Sequence, residues 1–177
     1  MTALIIILVL LAAVIIWCIN TVNGFRKKEI KIEEGLSGIE VALTKRYDML
    51  TKLLDTSKGY MAHEKDLFEN VIRIRKGMNI GEMNEAEREM NAVSTRLFAV
   101  AENYPQLRSS EIFAELQQGI RDAEEHLQAS RRLYNANVTA YNTAIVMFPA
   151  KLLAAGRKPY EFFEADENKR EDVKMEF

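Results

Sequence analysis

One cysteine, two histidines and three prolines, with no proline before position 105, set the first limits on this 177-residue chain. A single thiol, Cys18, excludes an intramolecular disulfide and any cysteine-based zinc site. The prolines are Pro105, Pro149 and Pro159, so no proline interrupts a helix in the first hundred residues. The net charge is −2, which withholds the strongly basic face expected of a nucleic-acid-binding domain. No stretch alternates apolar and polar residues for the length of a strand. What is present is 48% apolar and 28% charged, enough to bury a core and to exclude disorder by composition. The length fits one domain with an appendage.

The opening MTALIIILVLLAAVIIWCIN carries no charge, and Ala3–Ile19 is an unbroken apolar run. Its 17 residues rise ~26 Å as a helix, enough with their flanks for a bilayer core of about 30 Å. A cleaved signal peptide would have a basic start, a shorter apolar stretch and a small-residue cleavage site. Trp17 before Cys18 also suits lipoprotein processing poorly. The pattern predicts an uncleaved anchor over residues 3–22 rather than a buried core helix. Leu4, Ile5, Ile6, Leu8, Leu10, Val14, Ile15 and Trp17 are its candidate membrane-facing side chains. Trp17 reads equally as an interfacial anchor or as an ordinary apolar position. Arg26, Lys27 and Lys28 follow the run and no basic side chain precedes it. The positive-inside tendency therefore predicts an outside N-terminus and a cytoplasmic remainder, in the inner or plasma membrane.

Beyond the anchor the spacing is helical throughout. Ile32, Leu36, Ile39, Leu43, Tyr47, Leu50 and Leu54 alternate steps of four and three, and the stripe continues less cleanly through Met61, Phe68 and Ile72 to about Lys76. Gly59 is its weakest point, where a break or a bend is expected. Gly77 and Gly81 mark a turn. Met83, Ala86, Met90, Val93, Leu97, Val100 and Tyr104 form a bundle seam, which Pro105 stops. Ser109 or Ser110 is expected to cap the next helix, with Glu111 in its first turn. That last helix carries Phe113, Leu116, Ile120, Ala123, Leu127, Ser130, Tyr134, Val138, Tyr141, Ile145 and Phe148 on one stripe.

Residues suited to catalysis or metal binding are sparse. His63-Glu64 would open a zinc-protease motif, but position 67 holds Leu67 instead of the second histidine. Di-iron pairs of the Glu-x-x-His type fail as well, because Tyr60 and Ala123 stand three residues before the two histidines. His63-Glu64 therefore reads as a hydrogen-bonded pair at a helix junction. Gly35, Gly38 and Ala42 put small residues on one helix side, for a thin part of the bundle or, as the alternative, a self-association patch. The aromatic and basic stretch from Leu152 to Phe163 is expected to strap back along the bundle; resting on the membrane interface is the second reading. Tyr134-Asn135 and Tyr141-Asn142 repeat seven residues apart. A buried tyrosine must find a partner for its hydroxyl. Asn is a poor helix former, so two at matched positions predict tethers to a neighbouring backbone.

RYDMLTKLLDTSKGYMAHE (46–64), AENYPQL (101–107), EIFAELQ (111–117) and RRLYNANVTAYNTAIVMFP (131–149), in this order, resemble the LemA family of bacterial membrane-anchored proteins. The resemblance runs from about Arg26 to the closing FFEA and VKMEF. Matching positions are Arg46, Tyr47, Asp48, Gly59, Tyr60, His63, Glu64, Glu102, Tyr104, Pro105, Phe113, Glu124, Arg131, Tyr134, Asn135, Tyr141, Asn142, Phe148 and Pro149. Departures fall at Thr51 and Lys52, where the family carries proline and asparagine, at Ser57, where it is apolar, and at Ser110, where it has asparagine. Without proline at Thr51 a straight helix is expected there. The resemblance implies an antiparallel four-helix bundle behind one transmembrane helix, with no established activity, cofactor or substrate. Some relatives act in membrane organelle formation and others occur near membrane metalloproteases, an association that suggests a scaffold or accessory role.

The expectation is an all-α protein: a transmembrane helix (3–22), an antiparallel up-and-down bundle of three to four long helices (26–149), and a C-terminal strap and charged tail (150–177). No catalytic, cofactor or metal residues are assigned. The expected role is a non-enzymatic membrane-anchored scaffold with an unidentified protein partner and no nucleic acid. Homo-oligomerisation stays open. The alternatives are an accessory subunit of a membrane protease or envelope-stress system, and a lipid-binding or membrane-remodelling protein.

Overall fold

The computed structural model describes residues 1–60 and 77–163. The sequence expectations at Met61, His63, Glu64, Phe68, Ile72 and Lys76, and in the charged tail from Glu164 onward, lie outside the described residues. All regular structure among the described residues is helical: α1 (Thr2–Ser57), α2 (Ile80–Ala101), α3 (Pro105–Arg108), α4 (Glu111–Val146) and a short 3-10 turn at Ala150–Leu153. The fold is all-α, an up-and-down helical bundle. It divides into two units: unit 1 joins Met1–Leu36 to Arg132–Phe162, and unit 2 joins Ser37–Arg131 to Phe163–Phe177.

Anchor and first bundle stripe form one helix. No proline separates them, and α1 runs unbroken from Thr2 to Ser57. Thr51, where a straight helix is expected, sits inside it and donates its hydroxyl to the Tyr47 carbonyl at 2.9 Å. The helix ends two residues before Gly59, which lies in the following turn.

Gly77 does turn the chain, with φ of +83°, a left-handed value that glycine adopts without a Cβ penalty. Gly81 does not: it lies inside α2. The start is set by Asn79, whose side chain accepts from the Glu82 amide while Glu82 accepts from the Asn79 amide, a reciprocal capping box. Pro105, expected only to stop a helix, opens α3, where its missing N–H costs nothing. The Ser110 carbonyl accepts the first bond of α4 from Ala114 at 3.1 Å, with Glu111 in the first turn. α4 ends at Val146, so Phe148 leaves the stripe and is 81% exposed.

In unit 2 both α1 and α2 run antiparallel to α4. Along α1, Gly38 faces Ser130 and Met49 lies against Gly119; along α2, Phe98 meets Phe113 edge-on at 6.4 Å. Ile39, Leu43, Leu50, Met83, Met90, Leu97, Ile120 and Leu127 fill the core between them. In unit 1 the Phe25–Gly35 part of α1 packs antiparallel on the end of α4. A Cβ on Gly35 would sit 3.0 Å from the Tyr134 Cα. Gly35 and Gly38 therefore lie against α4, and Ala42 is buried, in line with the thin-bundle reading.

Candidate functional site

Among the described residues no group of three or more His, Cys, Asp or Glu side chains could hold a metal ion. His126 is exposed on α4, and Cys18 lies in the apolar part of α1. The built features are two: a polar tether system in unit 1 and buried ion pairs in unit 2.

The tether system grows from one face of α4. Asn142 grips the strap backbone in both directions: its amide donates to the Tyr160 carbonyl at 2.9 Å, and its carbonyl accepts from the Tyr160 amide at 2.9 Å. One turn pair earlier, buried Tyr134 donates its hydroxyl to the Glu161 carbonyl at 3.0 Å. Tyr141 donates to Glu29 on α1 at 3.3 Å and meets the Tyr160 ring edge-on at 5.1 Å. Glu29 also pairs with Arg157, whose guanidinium lies over the Phe25 ring at 5.0 Å. Gly156, with φ of +81°, supplies the turn before Arg157. Asn135 is half-buried, and its carbonyl accepts from Thr139 at 2.9 Å. Burial pushes the Tyr134 phenol above its ordinary value, with Tyr160 and Glu161 adding to the shift. Tyr160 is raised too, by burial first and then by the nearby Glu29.

On the flank of unit 1, Gly24, Lys27, Lys28 and Lys31 of α1 and Asn137 and Ala140 of α4 line a cleft of about 300 Å³. Asn137 closes one end by donating to the Lys31 carbonyl at 2.9 Å. Val146, Met147, Phe148 and Leu152 form an exposed apolar corner where α4 gives way to the strap.

In unit 2, Arg46 is buried, pairs with Glu124 at 2.7 Å and donates to Asn91. Burial lowers its guanidinium from the usual arginine range, and Glu124 pulls it back. Arg131 pairs with Glu87, both buried, and stacks over the Phe163 ring at 4.6 Å. Two charges taken out of water are tolerable only as pairs, so Arg131 holds Glu87 in the interior, while Arg46 reaches a half-buried Glu124 at its edge. The remaining signature positions scatter. Asp48, Gly59, Tyr60, Glu102, Pro105, Phe148 and Pro149 are exposed, Tyr47 and Tyr104 are half-buried, and Phe113 is in the core. Sequence reading missed Glu29, Glu87, Asn91 and Arg157. Glu87 lies four residues after Met83 on the α2 seam, and a charge on an apolar stripe was the available signal. Nothing local marks the others.

Residues 35–177 match the sequence model of the LemA family. The chain is 24% identical over 158 residues to a protein named LemA from Metamycoplasma hominis, a match covering 85% of this chain and 72% of that protein. Over 70 residues it is 33% identical to the magnetosome protein MamQ of Magnetospirillum gryphiswaldense, covering 38% of this chain and 26% of MamQ.

Proposed function

The chain belongs to the LemA family, and from that premise we propose that it is a membrane-anchored, non-enzymatic interaction protein. The observation that carries this reading is where the polar side chains go. Arg46, Arg131, Glu87, Glu124, Glu29, Arg157, Tyr134, Tyr141 and Asn142 are all engaged with other parts of the same chain. Groups held in that way stiffen a bundle; they are not poised toward a substrate. The described residues thus offer surfaces more than a pocket with convergent chemistry.

The anchor supports the same reading. Among the described residues, α1 is the one helix long and apolar enough to cross a membrane, and none of the described residues covers that stretch. A core helix of a soluble protein would be wrapped on all sides. Arg26, Lys27 and Lys28 after the apolar run support an orientation with the bundle in the cytoplasm and the N-terminus outside, in the inner or plasma membrane.

Photo-crosslinking groups at exposed Val41 and Ile112 of unit 2, activated in native membranes, test the proposal. A single heterologous adduct at defined positions is the expected result. Adducts formed only with other copies of the chain would sink the interaction reading. A cysteine-labelling probe near Lys158 checks orientation, and labelling from outside intact cells would overturn it.

A further inference from the structure

The cleft at the membrane-proximal end of unit 1 has no part in the tether system, and it is chemically one-sided. Gly24, Lys27, Lys28 and Lys31 are spaced by three, one and three residues, which puts them on one face of α1. Among the described residues none of the three lysines joins an ion pair. Of the acids on this stretch, Glu29 is already engaged by Arg26, Arg157 and Tyr141, and Glu33 and Glu34 follow Lys31 without lining the cleft. Three lysines outside any ion pair therefore line a concave space of about 300 Å³. Small side chains make that space: Gly24 has no atom within 4 Å of where a Cβ would be, and Ala140 stands opposite on α4.

The cleft also lies at a particular depth. Gly24 and Lys31 follow the end of the apolar run at Ile19 by 5 and 12 residues. At the helical rise these are ~7 and ~18 Å beyond it, and the headgroup layer occupies roughly 5–7 Å outside each face of the hydrocarbon. Helical side chains slant toward the N-terminus, so the lysines reach back toward that layer. The exposed corner of Val146, Met147, Phe148 and Leu152 reaches a similar depth. Tyr141 is bonded to Glu29, and five residues further along the antiparallel helix Val146, its last residue, comes about level with Gly24. An exposed apolar corner that follows at that level is a surface for the membrane interface.

We propose that the Gly24–Lys31 cleft binds the phosphate headgroup of an anionic phospholipid, with the Phe148 corner resting at the adjoining membrane interface. The inference rests on the reading of Ala3–Ile19 as a bilayer span. Phosphate suits the cleft because three mobile ammonium donors and the Asn137 carboxamide surround it, without a carboxylate to repel it.

Trp17, the sole tryptophan, lies seven residues before Gly24 and so shares its face of α1. A lipid headgroup in the cleft sends its acyl chains past that indole. The experiment reconstitutes the full chain in vesicles and compares quenching of Trp17 by brominated phosphatidylglycerol and brominated phosphatidylcholine. With a fewfold gain per lysine near a charged surface, a preference of about tenfold or more for the anionic lipid is expected. Lys27→Gln, Lys28→Gln and Lys31→Gln together should bring it to about one. Gly24→Leu keeps every charge, fits the open space and fills the cleft, and it too should erase the preference. Equal quenching of the wild type by both lipids overturns the inference while leaving the span intact. No quenching by either removes the span, and the inference with it. Preference retained in Gly24→Leu but lost in the lysine variant would mean diffuse attraction without a site. Loss of preference on adding glycerol phosphate at matched ionic strength would reassign the cleft to a soluble phosphate.

Discussion

Asn142→Ala isolates the strap. In the native protein the Asn142 carboxamide satisfies both backbone groups of Tyr160 at 2.9 Å each. Alanine removes both partners and strands a half-buried N–H and carbonyl, which water reaches only in part. Each lost bond is worth about 1 kcal/mol, and the better helix propensity of alanine returns roughly 0.5 kcal/mol. A net loss of about 1–2 kcal/mol follows, confined to strap opening, since the helices of unit 2 share none of these bonds. Such a loss raises the open fraction about 5–30-fold. Amide hydrogen exchange on the full chain measures it directly, because local opening is read residue by residue. The Tyr160 amide should exchange faster by that factor, while Leu97 in α2 keeps its rate. Unchanged Tyr160 exchange in the variant would falsify the tether and leave Asn142 free for a partner.

Three further outcomes are expected. Arg131→Met leaves the Glu87 carboxylate without its buried partner and should cost about 3–5 kcal/mol; adding Glu87→Leu should recover most of it by calorimetry, and additive losses would refute the coupling. The Tyr134 and Tyr160 phenols have raised values in the folded state, so the fold favours their protonated forms. Their contribution is complete below the ordinary tyrosine value of about 10 and is lost as pH climbs through the raised values. Melting temperature should fall more steeply above that point in the wild type than in Tyr134→Phe, and parallel curves would refute the assignment. Gly35→Ala gains about 1 kcal/mol of helix propensity but drives a methyl to 3.0 Å from the Tyr134 backbone, an overpacking cost of about 1–3 kcal/mol. Gly24→Ala meets nothing and should stabilise, so equal stabilisation by both substitutions would show that α4 yields.

Helical class, family and the buried stripes were legible in the residues because they depend on local periodicity. Ile39, Leu43, Leu50, Met83, Met90 and Leu97 are buried as their three-four spacing predicts. Boundaries were less so. Gly81 reads as a turn residue, yet the Asn79–Glu82 box starts α2 ahead of it. Phe148 continues the α4 stripe by spacing, but the helix ends two residues earlier and leaves the ring in solvent. Periodicity says which face a residue occupies only while the helix lasts.

The apolar run, the helical stripes and the family motifs follow from side-chain chemistry along the chain alone, since hydropathy and spacing act over a few turns. Which polar groups meet had to wait for the fold. Glu29 and Arg157 are 128 residues apart, and Arg46 finds Asn91 across 45. No local preference encodes such partners: a buried charge requires some opposite charge, but only the register of antiparallel helices decides which one stands opposite. The lysine cleft is of the same kind. Its charges are plain in the sequence, but their concavity depends on Ala140 and Asn137 arriving beside Gly24 and Lys31.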